Sequence, residues 1–353
     1  MEEQQNVAIP TDLGTEDIGK LLKKYALPAI IAMTASSLYN MIDSIYIGQG
    51  VGPMAISGLA VTFPLMNLST AFGTLVGAGA ATILSIFLGR KKYSACNKVL
   101  SNVVSLNIII GLLFMAVALA FIDPILYFFG ASENTLPYAK EYMKIILYGN
   151  IITHLYFGLN AAMRSTGYPK KAMALTIFTV IINAILDPIF IFGLQMGVSG
   201  AALATVISQF VGTALGVYYN RKKNPDITNT RDNIRPNLPV IGRIYSVGLP
   251  SILMQTVPSI LIFGLNQILV GFTETAAAVY GVWFKLQGFA FLPIIGMNNG
   301  MVPIVAYNYG ARNYARVRKA LFITIGLGMG ISTLGFLLAH IFPESIAHIF
   351  VDK

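Results

Sequence analysis

Long apolar runs, broken by short polar stretches, recur along the whole chain. They fall at roughly residues 25–48, 58–88, 97–122, 138–161, 171–193, 199–219, 241–270, 276–308 and 318–341. An α-helix needs about 20 apolar residues to cross a bilayer, and each run is near or above that length. The pattern predicts an all-α polytopic membrane protein with nine spanning helices. Ahead of the first run, residues 14–24 read as a short amphipathic lead-in on the membrane surface. Its acidic residues come first and its lysines last, which suits the helix dipole.

The polar positions inside the runs matter most. In the first run, Ser36, Tyr39, Asn40 and Asp43 recur at helical spacing and share a face. A carboxylate near the centre of a spanning helix costs about 2.5–3.5 kcal/mol on insertion scales. Nothing on that helix neutralises Asp43. The other charged residues well inside runs are Asp187 and Lys285. Asp43 and Asp187 lie similarly far from the ends of two helices that run in the same direction, so their depths match. Asn183 is one turn from Asp187, and Thr176 continues that face. The sixth run carries Thr205, Ser208 and Gln209; the fourth carries Asn150, Thr153 and Asn160. Carboxylate, amide and hydroxyl oxygens converging out of water suit a proton or Na+. The competing reading makes each Asp a hydrogen-bonding residue in helix packing. Lys285 either pairs with a distant partner or snorkels. His154, His340 and the methionines read as packing residues. Gly77, Gly79, Gly326, Gly328 and Gly330 let helices approach closely. Pro28, Pro64, Pro188, Pro250, Pro258 and Pro293 are expected to bend or break their helices, and Pro188 to free a carbonyl beside Asp187.

Charge sets the orientation. Arg90, Lys91, Lys92 and Lys98 follow the second run, and Arg164, Lys170 and Lys171 the fourth. Arg221, Lys222, Lys223, Arg231 and Arg235 follow the sixth, and Arg312, Arg316, Arg318 and Lys319 the eighth. The alternate loops at 49–57, 123–137, 194–198 and 271–275 hold neither Lys nor Arg. This is the positive-inside pattern, and it places the N-terminus in the cytoplasm. Composition agrees, with 55% hydrophobic and 11% charged residues against about 25% charge in soluble domains. The net charge of +9 therefore belongs to membrane loops and does not point to nucleic acid. Cys96 is the single cysteine, so an intrachain disulfide is excluded. The first 19 residues lack the n- and h-regions of a cleaved signal peptide. Trp283 and many Tyr and Phe residues read as interfacial or lipid-facing.

An internal repeat divides the chain. YALP at 25–28 is echoed by VGLP at 247–250, and LGRKKYSACNKVL at 88–100 by YGARNYARVRKAL at 309–321, both about 221 residues on. Six runs separate the copies, so the halves are expected to be parallel, as in many transporters. The expected organisation is an N-terminal segment at 1–24, a six-helix lobe at 25–219, a cytoplasmic linker at 220–240 and a partial three-helix lobe at 241–353.

At these residues the chain resembles the multidrug and toxic compound extrusion (MATE) family, in its MepA/DinF-like bacterial branch. The resemblance rests on LYNMIDSIYIGQGVG at 38–52, AAMRSTGYPKKA at 161–172, NAILDPIFIFG at 183–193, GVSGAALATVISQ at 197–209 and PIVAYNYGARNYARVRKAL at 303–321. It implies two six-helix lobes around a central cavity, with the last three helices lacking here, and export of organic cations in exchange for H+ or Na+. It also implies a coupling-ion site at Asp43, Asn183, Asp187 and Thr205. The cavity is expected to draw on Tyr39, Asn40, Asn150, Thr153, Asn160, Gln209, Gln255 and Lys285. Gln255 is neutral where some members carry an acid on the seventh helix, which speaks against a second ion site.

The leading expectation is a cation-coupled multidrug antiporter rather than an enzyme. It needs no cofactor beyond the coupling ion, and it sits in the bacterial plasma membrane with lipid and lipophilic or cationic drugs as partners. Two alternatives are a lipid-linked oligosaccharide flippase and an inactive transporter fragment. A flippase should hold more cationic residues in its cavity than these N-terminal runs supply. An intramembrane aspartyl protease would need Gly-x-Gly-Asp, but Asp43 follows Asn-Met-Ile and Asp187 follows Ala-Ile-Leu.

Overall fold

The computed structural model describes residues 12–223, 236–270 and 274–341. Among these residues it is helical throughout, with no strand. The helices are α1 (Asp12–Thr15), α2 (Ile18–Gly50), α3 (Pro53–Gly89), α4 (Tyr93–Ala120), α5 (Ile122–Phe128), α6 (Leu136–Tyr148), α7 (Asn150–Ser165), α8 (Pro169–Pro188), α9 (Gly197–Lys223), α10 (Leu238–Val270), α11 (Glu274–Gly310) and α12 (Tyr314–Ile341). Residues Ile189–Gly193 continue α8 as a π-helical turn. Six of these helical segments are long and apolar enough to cross a membrane.

The apolar runs and the helices correspond, with three corrections. The lead-in is not a separate surface helix. Asp17 caps α2, its carboxylate accepting from the backbone of Gly19 at 2.9 Å and Lys20 at 3.4 Å. Residues 18–24 then join the first run in one continuous helix, because Ile18, Leu21 and Leu22 bury against Ile304 and Ala320. The fourth run is two helices, α6 and α7, meeting at Gly149. A methyl group there would lie 2.4 Å from Val206 of α9, so the join is pressed against its neighbour. Lastly, α2, α3 and α11 pass through Pro28, Pro64 and Pro293 without ending. Neighbouring helices tolerate such prolines in a membrane bundle. Of the expected linker at 220–240, residues 224–235 lie outside the described residues, as do 342–353.

The end of the bundle that carries Arg90–Lys92, Lys170, Lys171, Arg312 and Arg316 is the basic end. There α3 packs on α10 and α11, and α2 packs on α11. The contacts are close. A methyl group at Gly79 would lie 2.2 Å from the Ile244 carbonyl oxygen, and one at Gly248 2.4 Å from that of Leu75. Across α2 and α11, Gly300 meets Ala26 and Gly296 meets Ile30. Gly296 and Gly300 stand 221 residues after Leu75 and Gly79, so the α3–α10 and α2–α11 contacts are copies of one another. The α3–α11 crossing is its own copy, since Gly89 and Gly310 are also 221 apart. A methyl group at Gly89 would lie 2.0 Å from Tyr307 O, and one at Gly310 2.1 Å from Ile86 O. Only glycine permits backbones this near.

Candidate functional site

Three helices bring the expected residues together. Asp43 comes from α2, Asn183 and Asp187 from one face of α8, and Thr205 from α9; they are 5%, 2%, 0% and 4% exposed. The Asn183 amide nitrogen donates to Asp187 Oδ1 at 3.3 Å and to Thr205 Oγ1 at 3.4 Å. Tyr39, one turn from Asp43, places its hydroxyl 3.3 Å from the same Thr205 oxygen. Beyond Asp187, Pro188 has no N–H to give and the helix widens into the π-helical turn. Such turns are frequent at functional positions in helices.

The group is left short of donors. Asp43 Oδ1, Asp187 Oδ2 and Asn183 Oδ1 are buried and accept no hydrogen bond. Among the described residues neither carboxylate has an ion-pair partner. Asp187 also lies in the electrostatic field of Asp43. A small cation, or a proton shared within the group, is the ligand whose chemistry answers three bare oxygens.

Tyr142 on α6 belongs to the same site and was not anticipated. It is 2% exposed and lies in the electrostatic range of Asp43, Tyr39 and Asp187. A tyrosine near the end of a span reads as an interfacial anchor, so its sequence position gave no sign of this role.

The remaining candidates are dispersed. Asn40 is exposed and bonds back to Ser36 O at 2.8 Å on its own helix. Thr153 of α7 donates to Gln209 of α9, which ties those helices together. Ser208 donates to the Thr205 carbonyl oxygen at 2.9 Å. Asn160 donates to Ala172 O at 3.1 Å and Thr176 Oγ1 at 3.2 Å and accepts from Arg164 at 3.2 Å, towards the basic end. Tyr156 joins it through Thr176 at 3.1 Å. Asn150 lies apart from all of these. It accepts from Ser69 at 2.5 Å and donates to Gly111 O at 3.3 Å, locked between α3, α4 and α7 with His154. Its position is that of a packing residue. The side chains of Gln255 and Lys285 lie outside the described residues.

Relatives of known kind share this architecture. A multidrug export protein MepA of Staphylococcus haemolyticus (strain JCSC1435) is 32% identical over 308 residues, 87% of this chain and 68% of that protein. The MepA of Staphylococcus aureus (strain NCTC 8325 / PS 47) is 33% identical over 312 residues, 87% of this chain and 69% of that protein. Two solved structures, a MATE family transporter in an outward-facing conformation and a MATE in a bent conformation, superpose with TM-scores of 0.89 and 0.90. Each is 27% identical and covers 96% of this chain and 76% of its own. The MatE family model matches residues 28–189 and 250–353. On these grounds the chain belongs to the MatE family, the multidrug and toxic compound extrusion transporters.

Proposed function

We propose that this protein is a secondary active multidrug efflux transporter that exchanges organic cations for H+ or Na+ by alternating access. The observation that carries the reading is the buried pair Asp43 and Asp187 with unpartnered oxygens on both and on Asn183. Two carboxylates out of water cannot both keep their charge without a counter-charge. The coupling ion supplies it, held by Asp43, Asn183, Asp187 and Thr205 with the Tyr39 and Tyr142 hydroxyls beside them.

In this reading helices α2–α9 form one lobe and α10–α12 belong to the other, joined by the 220–240 segment. The basic end faces the cytoplasm of a bacterial cell, in line with its Lys and Arg content. The close glycine contacts then seal the cytoplasmic end. An external ion enters and neutralises the pair, which weakens the hold on an organic cation in the adjoining cavity and favours its release outward. Coupling is reciprocal, so bound drug lowers the affinity for the ion. The names of the MepA relatives support drug-like substrates.

The test uses the full-length protein in vesicles with an imposed proton or sodium gradient. D43N and D187N keep the shape and remove the charge, so both are expected to reduce ethidium export by about tenfold or more at unchanged membrane abundance. Normal gradient-driven export by both variants would end the reading.

A further inference from the structure

The segment that leads into α2 crosses to the far side of the basic end and is fastened there. Leu13 of α1 is 1% exposed, and its carbonyl oxygen accepts from Asn308 of α11 at 2.9 Å. Arg316 of α12 donates to Leu13 O at 3.3 Å, to Glu16 O at 2.5 Å and to Asn308 Oδ1 at 2.9 Å. One guanidinium thus joins the N-terminal segment, α11 and α12. Beside it Lys319 pairs with Asp17 at 2.9 Å. Leu13, Ile18, Leu21, Leu22 and Tyr25 cover Ile304 and Ala320 beneath these bonds. The segment leading into α10 is fastened in the matching place, where the Asn237 backbone N–H donates to Asn102 Oδ1 of α4 at 2.9 Å. Each leading segment is therefore held by the third long helix of the opposite half. The first strap is ionic and the second is neutral.

Resting on the antiporter reading, we propose that Arg316 is a positioning residue of the transport cycle. It straps the N-terminal segment to α11 and α12, holds the basic end shut, and must release that segment before this end opens. The backbone oxygens it engages belong to the leading segment of one half, while Arg316 and Asn308 belong to the other. Separation of the α2–α11 and α3–α10 contacts pulls these groups apart. No other cation reaches Leu13 O or Glu16 O among the described residues, so its loss leaves both carbonyls and Asn308 Oδ1 without their charged donor.

The test reads opening directly, with no drug or gradient present. A cysteine replaces Ile30, which packs against Gly296 in the sealed contact, in a full-length background carrying Cys96→Ser. Inside-out vesicles are treated with a membrane-impermeant maleimide. Arg316→Ala is expected to raise the labelling rate by about tenfold or more, because three hydrogen bonds from one charged group are lost. Arg316→Lys keeps the charge but not the planar fork, so its rate falls between the two. The exposed Asp17–Lys319 pair provides a second route that leaves the core untouched. D17K and K319D should each raise the rate by about twofold or more, and the double reversal should bring it back below that of D17K, leaving only the loss of the α2 cap. If Arg316→Ala fails to insert, the reversals decide alone. Rates within twofold of the parent in Arg316→Ala and in both single reversals would overturn the proposal. Normal export by D43N and D187N would sink the ion-coupling reading and leave this measurement standing, so the two failures are distinguishable.

Discussion

Asn183 donates across one helical turn to Oδ1 of Asp187 at 3.3 Å, and the same amide nitrogen reaches Thr205 Oγ1 at 3.4 Å. Both donor hydrogens of Asn183 are thereby committed, and its own carbonyl oxygen is left bare, as is Asp187 Oδ2. The amide sorts the oxygens of the site. It occupies one side of Asp187 and leaves the other side, with its own oxygen, without a donor.

That division ranks the neutral residues. Asn183→Ala removes one ligand and the bond that orients Asp187, so its loss of ion affinity is expected to exceed that of Thr205→Ala. Tyr142→Phe removes a hydroxyl at the margin and should cost least. About threefold to tenfold for Asn183→Ala and a few-fold for the others are expected, from one or two lost hydrogen bonds. Ion titration of purified variants by intrinsic fluorescence checks the order. Equal losses in all three would contradict it.

The Ser69, Asn150 and His154 cluster should behave differently. It is buried among α3, α4 and α7 and shares no hydrogen bond with Asp187. Ser69→Ala leaves the buried Asn150 Oδ1 without its donor and should lower stability by about 1–3 kcal/mol. Export per folded molecule should be unchanged. A thermal-shift assay alongside vesicle transport separates the two effects, and a variant of normal stability with lost export would move Asn150 back into the cavity.

Gly89→Ala places a methyl group 2.0 Å from Tyr307 O, with backbone rather than a movable side chain in the way. Overpacking of this sort costs about 1–3 kcal/mol, and here it falls on the closed contact. Labelling of the Ile30→Cys probe from the basic end should therefore rise in Gly89→Ala. Gly242→Ala is the control, since nothing lies within 4 Å of a methyl group there. Equal behaviour of the two alanine variants would remove the glycine contact from the argument.

Acid should loosen the ionic strap in one direction only. Lys319, and after it the Gly19 backbone N–H, hold the Asp17 carboxyl below its ordinary value of 3.8. Lys319 faces it from α12, and Glu16 and Lys20 stand near it in the chain. Because the folded value lies below the unfolded one, the contribution is complete above pH 3.8 and is lost as pH falls through the folded value. Probe labelling, divided at each pH by that of a fully exposed control cysteine to remove the loss of reactive thiolate, should be flat from about pH 8 to about pH 5 and rise only in stronger acid. Asp17→Asn keeps the cap and lacks the carboxylate, so its acid step should vanish. A rise between pH 5 and 8 would assign the response to another group.

The buried polar group of Asp43, Asn183, Asp187 and Thr205 was legible because a charge in an apolar run has few innocent explanations. Asp43, Asp187, Asn183 and Thr205 stand out from their neighbours, and helical spacing fixed which of them share a face. Periodicity does not say which helix a face meets. Asn150 looked like a cavity residue for that reason, and only the packing of α3 and α4 against α7 places it elsewhere. Tyr142 was hidden because tyrosine suits a membrane interface as well as a binding site. The strap was hidden for a similar reason. Arg316 lies in a basic stretch of sequence at the start of α12, where positive charge already has an explanation, and the backbone oxygens it engages are about 300 residues away, which no side-chain pattern announces.

Gly89 and Gly310 occupy equivalent places in the two repeats and face each other across the α3–α11 crossing. The pseudo-twofold relation of the halves brings the two positions together, so a side chain gained at either one collides with the backbone of the other half. Each position can mutate alone, yet each still needs the other to stay bare. The pair is a site where two separately encoded positions are held to one choice by a shared contact.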